Sequence, residues 1–220
     1  NMKIAIIDYK VSNMFSVKNA LNYLGYRSTI TSDPKIIIEA DGVILPGVGS
    51  FPEAMQNFNN LKLTEIVKEF ISSGKPFMGI CLGLQLLFSK SEEFGECEGL
   101  NIISGEVRNF DQYIDDHPLP HVGWNRINCY KENNPNLAEP SEKLRLYDEK
   151  YFYFVHSFFV KPNNSNHIFT ETSIGDFKFC SSVKYDNIFA CQFHPEKSGI
   201  RGLNILKDFF SGEYHYVQKK

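Results

Sequence analysis

The sequence predicts a single α/β domain over residues 1–220: a central, mostly parallel sheet with helices on both faces and added antiparallel strands in the C-terminal half. Three observations lead there. Up to Lys90, short apolar runs rich in β-branched residues alternate with segments of helical spacing, the pattern of βαβ units. Beyond Gly95 the texture changes to short alternating or aromatic runs between turn-rich stretches, which suits antiparallel or mixed strands. A 220-residue chain that is 42% hydrophobic, with no repeat, low-complexity tract or linker, has the length and apolar content for one substantial core.

Lys3–Asp8 is a short apolar run, as a strand buried on both faces would be. Met14, Val17, Leu21 and Leu24 then recur at helical spacing behind a Ser12 or Asn13 cap, with Gly25 just past the end. Arg27–Thr31 is a second strand, Pro34 opens a short segment through Ile36, Ile37 and Ile38, and Asp41–Pro46 is a third strand that stops at its proline. Ser50-Phe51-Pro52-Glu53 has the form of a capping box, so a helix should start there. Another helix carries Leu63, Ile66, Val67, Phe70 and Ile71 on one face and ends at Gly74. Pro76–Ile80 is the next buried strand, and Leu82–Lys90 has the composition of a helix entered directly from it. The later strand candidates are Gly105–Phe110, His121–Tyr130, Tyr151–Val160, Ile168–Thr172, Phe177–Lys184 and Ile188–Phe193. A final helix with Leu203, Leu206 and Phe210 on one face closes the chain.

Composition removes several classes of function. With 23 Lys+Arg against 26 Asp+Glu the formal net charge is −3, which leaves no electrostatic surplus for a nucleic acid. The longest apolar stretch, Pro76–Phe88, is too short to cross a bilayer. Asn1-Met2-Lys3-Ile4 runs straight into a strand with no signal-peptide pattern, so an unexported, cytoplasmic protein is expected. The cysteines Cys81, Cys97, Cys129, Cys180 and Cys191 have no CxxC spacing and read as reduced thiols. No clustered ligands suggest a metal, and no cofactor is expected.

One thiol stands apart. Gly79-Ile80-Cys81-Leu82-Gly83 lies where a buried strand should turn sharply into a helix, the geometry of a nucleophile elbow. Such a turn pushes the side chain out at the sheet's carboxyl edge and sets it at a helix N-terminus, which favours a thiolate. Gln192-Phe193-His194-Pro195-Glu196 follows the last apolar strand. Pro195 holds His194 extended, so Glu196 projects to the same side and can fix the imidazole tautomer while the other nitrogen faces a nucleophile. Together these residues make a Cys81–His194–Glu196 triad suited to acyl transfer. Leu45-Pro46-Gly47-Val48-Gly49 ends another strand at the same edge. A backbone N–H there, at Val48 or Gly49, could join the N–H of Leu82 in stabilising an oxyanion. His121 and His156, in strand contexts, read as hydrogen-bonded core or interface histidines.

With these residues in place, the chain resembles a class I (triad-type) glutamine amidotransferase with its flavodoxin-like fold. More narrowly, it resembles the glutaminase subunits of imidazole glycerol phosphate synthases. The matching stretches are Ile4–Tyr9 with Asn13, Leu45–Phe51, Gly79–Phe88 with Ser91-Glu92-Glu93, Pro120–Asn125, Tyr153–Ser157 and Gln192–Ser198. The resemblance implies hydrolysis of L-glutamine through a thioester on Cys81, with His194 as base and then acid and Glu196 orienting it. It also implies that Gly47, Gly49, Gln85, Ser157 and Phe158 bind the substrate, and that Asn13, Trp124, Asn125 and Tyr153 face a (β/α)8-barrel cyclase subunit in a heterodimer. That cyclase would use the ammonia to make imidazole glycerol phosphate and AICAR from PRFAR, in histidine biosynthesis.

One departure bears on the acceptor. The family follows its first strand with Tyr-Gly-x-Gly-Asn, and this chain has Tyr9-Lys10-Val11-Ser12-Asn13. An alternative keeps the same glutaminase but gives its ammonia to a sugar-amidating synthase of surface-glycan biosynthesis. An independent cysteine hydrolase is opposed by the combination of Gln85, His121-Val122-Gly123-Trp124-Asn125 and the His194 segment, and a non-catalytic binding module by the intact triad positions.

Overall fold

The computed structural model describes residues 2–11, 14–130 and 146–211. Its strands are β1 (Lys3–Ile7), β2 (Arg27–Thr31), β3 (Gly42–Leu45), β4 (Phe77–Ile80), β5 (Phe88–Ser91), β6 (Cys97–Glu98), β7 (Ile103–Asn109), β8 (His121–Arg126), β9 (Asn128–Cys129), β10 (Tyr151–His156), β11 (Phe158–Pro162), β12 (Ile168–Ile174), β13 (Phe177–Tyr185) and β14 (Ile188–Cys191). Its helices are α1 (Met14–Tyr23), α2 (Pro34–Glu39), α3 (Phe51–Asn60), α4 (Leu63–Ser72), α5 (Leu82–Leu86) and α6 (Gly199–Phe210).

The main sheet runs in the order β2-β1-β3-β4-β14-β13-β11-β7-β5-β6, with β12 on β13 and β9 on β12. The block from β2 to β14 is parallel, and antiparallel pairing begins where β14 meets β13. The period of two along β1 explains the layers. Ile4 and Ile6 enter one core with Val17 and Leu21 of α1 and Leu206 and Phe209 of α6. Ala5 and Ile7 enter the other with Ile37 of α2, Phe58 of α3 and Val67 of α4. Both faces of the sheet are thus covered at β1, β3, β4 and β14, which is why these strands read as apolar runs, whereas the edge strand β2 is half-exposed and mixed in sequence. The expected α/β architecture is the one observed. Among the described residues no helix is long and apolar enough to cross a membrane.

Two expectations need correction. The helix expected over Leu82–Lys90 ends at Leu86, and Phe88–Ser91 is a strand instead. The carbonyls that would continue the helix are taken by the returning chain: Leu86 accepts from Leu100, Leu87 from Ile102 and Ile103, and Phe88 from Asn101. The run Tyr151–Val160 is not one strand. It breaks at Ser157 into β10, which pairs with β8 in a separate two-stranded sheet, and β11, which joins the main sheet. The Ser12 or Asn13 cap of α1 lies outside the described residues. The capping box is half made: Ser50 Oγ accepts from the N–H of Glu53 at 3.4 Å, while Glu93 takes the N–H of Phe51 at 3.0 Å.

β3, β4 and β14 are neighbours in the sheet and run parallel, so the chain leaves all three at one edge. In open α/β sheets that carboxyl edge is where sites are built.

Candidate active site

Cys81 follows β4 directly, with φ 55° and ψ −111°, a conformation that L-residues rarely adopt. Its own N–H is tied to the carbonyl of Cys191 at 2.8 Å. The flanking glycines are demanded by close approach. A methyl group on Gly79 would stand 3.0 Å from the Gly83 carbonyl oxygen and 3.1 Å from Cβ of Ala190. One on Gly83 would run into the carbonyl of Leu45. Strand β4, helix α5 and strand β3 therefore converge on the thiol with no room for side chains between them.

His194 leaves β14 extended, at φ −103° and ψ 97°. Its Nδ1 lies 2.6 Å from Oε1 of Glu196, and both side chains are almost fully buried. Glu196 reaches the ring from a 3-10 turn over Pro195–Lys197, not from the extended segment expected of it. The backbone of His194 is clamped as well. Its N–H donates to the carbonyl of Tyr153 at 2.9 Å, and Ser198 Oγ donates to its carbonyl at 2.6 Å while accepting from the N–H of Tyr153 at 3.0 Å. Nε2 is buried and has no hydrogen-bond partner of ordinary geometry among the described residues. Burial works against a charged ring here, but the Cys81 side chain and the Glu196 carboxylate outweigh it and push the pKa of His194 up to about 10.

The proposed oxyanion donors are not all free. The N–H of Leu82 donates to the carbonyl of Gly47 at 3.2 Å. Gly47 has φ +153° and Gly49 φ +119°. Val48 is half-buried and Gly49 exposed. The hydroxyl of Tyr9, fully buried, donates to the carbonyl of Pro46 and so pins the start of this segment. Burial and the nearby Cys81 hold the Tyr9 phenol well above its ordinary pKa, so it stays a donor.

Gln85 points into the same region: Nε2 donates to the carbonyl of Phe158 at 3.4 Å and to Oε1 of Gln192 at 3.2 Å. The carbonyl of Ser157 accepts from Phe110 at 3.2 Å. Trp124 and Tyr153, opposite each other in the β8–β10 pair, meet edge to face with ring centroids 6.2 Å apart, and Trp124 is 57% exposed. Asn125 departs from the outward orientation expected of it, because successive strand residues alternate sides. Its Nδ2 turns inward, to His121 Nε2 at 3.2 Å and the carbonyl of Ser173 at 3.0 Å. Asn13 lies outside the described residues.

His121 and His156 face each other across the same pair, with His121 Nδ1 2.9 Å from His156 Nε2. His156 Nδ1 donates to the carbonyl of Phe158 at 2.7 Å, so its Nε2 must accept from His121. Burial pushes the pKa of His121 down to about 4 and that of His156 to about 3. This directed chain and the Tyr9 pin escape sequence reasoning, because only the pairing register sets His121 opposite His156.

Residues 5–212 match the family model "Glutamine amidotransferase class-I". The chain is 42% identical over 210 residues to the imidazole glycerol phosphate synthase subunit HisH of Geobacter metallireducens, covering 94% of this chain and 96% of that protein. It is 43% identical over 209 residues to the protein of the same name from Aquifex aeolicus, again covering 94% and 96%. Among solved structures, PurLQS from Thermotoga maritima superposes with a TM-score of 0.71 at 16% identity, covering 96% of this chain and 98% of that one. The glutaminase domain of CTPS from Trypanosoma brucei gives 0.60 at 17% identity, covering 100% and 97%. At such identities the structures speak for the fold alone.

Proposed function

The chain belongs to the class-I glutamine amidotransferase family, and from that premise we infer what its site does. It is the glutaminase subunit of an imidazole glycerol phosphate synthase, hydrolysing L-glutamine to glutamate and ammonia. The observation that carries the reading is the pairing of a strained thiol at the β4–α5 elbow with a histidine braced by Glu196 at 2.6 Å. The relatives compared above are subunits of that synthase, which does not favour a sugar-amidating acceptor.

The Cys81 thiolate attacks the γ-carbonyl carbon of glutamine. The electron pair of the C=O bond moves to oxygen, and the tetrahedral anion needs donors where that oxygen develops. Leu82 supplies one N–H, and a turned peptide between Gly47 and Gly49 supplies the second. The protonated His194 gives its proton to the departing nitrogen, so ammonia leaves as the C–N bond breaks and a γ-glutamyl thioester remains. His194, now neutral and held by Glu196, takes a proton from water as it attacks the thioester, and the Cys81 thiolate is expelled with glutamate as product. Gln85, with the Ser157–Phe158 backbone, holds the rest of the substrate.

Ammonia must travel unprotonated to be nucleophilic, so the outer face around Trp124 and Tyr153 takes the cyclase subunit. The Tyr153 carbonyl on the His194 N–H gives docking a direct mechanical link to the triad. The test is glutamate release by the purified chain with and without the cyclase. No glutaminase activity in either would overturn the reading.

A further inference from the structure

Gln192 precedes the braced histidine by two residues, and its side chain is fully buried. We propose that Gln192 is a catalytic residue of this site: its side-chain amide donates a hydrogen bond to the Cys81 sulfur, favouring the nucleophilic anion and tying it to the substrate-holding Gln85. The proposal rests on the glutaminase reading above and deepens it.

Gln192 Nε2 lies 3.5 Å from Cys81 Sγ, and Oε1 accepts from Gln85 Nε2 at 3.2 Å. The sense of these bonds follows from a fixed anchor. Gln85 Nε2 also reaches the carbonyl of Phe158, which can only accept, so Gln85 presents its NH2 group to this region. The atom of Gln192 that meets that NH2 group must then be its oxygen, and its own NH2 group must face the sulfur. A flipped amide would set NH2 against NH2 at one end and oxygen against sulfur at the other. The backbone leaves the side chain no retreat, because the Gln192 N–H is bonded to the Ser181 carbonyl at 2.9 Å and extends the pairing of β14 with β13.

Besides His194, the sulfur also meets the carbonyl of Val155, at 3.9 Å. A carbonyl suits a thiol that donates and repels a thiolate. Gln192 therefore does what Val155 cannot: it presents an N–H to a negative sulfur, and hydrogen bonds to charged groups are the stronger kind. The same donor serves the cycle twice. It stabilises the anion before attack, and it receives the thiolate again when water breaks the thioester. Since Oε1 of Gln192 is held by Gln85, a substrate that re-engages Gln85 also shifts the donor on the sulfur.

Alkylation of Cys81 by iodoacetamide in the purified full chain, followed by mass spectrometry, tests this without needing glutamine. Gln192→Met keeps the length and loses the donor. Gln192→Glu keeps the acceptor for Gln85 and sets a carboxylate on the sulfur. At neutral pH the Met variant should react about tenfold more slowly than the parent and the Glu variant more slowly still. The difference should close in alkaline buffer, because a donor that favours an anion matters least where base removes thiol protons in general. Parent-like rates at neutral pH in either folded variant, or a deficit that persists unchanged in alkali, would overturn the proposal. If Cys81 of the parent reacts no faster than the half-exposed Cys97, it is the glutaminase reading itself that fails.

Discussion

The N–H of Leu82 donates to the carbonyl oxygen of Gly47 at 3.2 Å, so a donor proposed for the oxyanion is occupied by the chain's own backbone. Tyr9 holds the preceding carbonyl, that of Pro46, and Gly47 has the freedom to let its peptide turn. On the proposed mechanism the hole is closed in this conformation, and opening it requires rotation between pinned Pro46 and exposed Gly49. Without its cyclase the chain should therefore hydrolyse glutamine slowly. With the acceptor-loaded cyclase, turnover should rise a hundredfold or more, since one missing oxyanion donor costs about 3 kcal/mol. Steady-state glutamate release measures it, and full turnover by the lone chain would refute the closed hole.

Gly83→Ala should be severely damaging. The added methyl meets the Leu45 carbonyl, part of a fully buried strand that cannot yield. A loss of about 1–3 kcal/mol or more is expected for such overpacking. Chemical denaturation reads it, and a stability within about 0.5 kcal/mol of the parent would show that the elbow has slack.

Most of the parallel half was legible because β1, β3, β4 and β14 are almost wholly buried and α1, α3 and α4 each bury one stripe, so periodicity and burial agree. The strand at Phe88–Ser91 was not. Its apolar residues continue those of α5, and what ends the helix is the set of N–H groups from Leu100 to Ile103, which no local pattern announces. At the site, Cys81, His194 and Glu196 stood out because glycines and a proline mark their turns. The inward amide of Asn125, the pin from Tyr9 and the closed state of Leu82 depend on contacts between distant segments and had no signal in the chain.

Lys10 keeps a conformation made for glycine, at φ 64°. A left-handed L-residue costs about 1–2 kcal/mol, and glycine returns part of that as chain entropy. Lys10→Gly should thus raise stability by up to about 1 kcal/mol, a few degrees in melting temperature. A lowered melting temperature would mean that the lysine side chain holds the loop.

Acid should destabilise the fold through His156. Its pKa is about 3 when folded, against an ordinary value of 6.5, so the stability it contributes is present above about pH 6.5 and is lost as pH falls toward 3. Over the first two units of that window the loss amounts to about 2–3 kcal/mol. In His156→Gln the pH slope of unfolding free energy should be smaller by about 1.4 kcal/mol per unit. An unchanged slope would remove His156 as its source.

The claim on which everything rests is that Cys81, alone among the thiols, forms the acyl intermediate. A glutamine-mimicking electrophile applied to the complex, followed by peptide mass spectrometry, asks this directly. The expected result is a single label on Cys81, absent in Cys81→Ser, with glutamine hydrolysis abolished in that variant. A label on Cys191 or Cys97, with activity retained after Cys81→Ser, would contradict the account.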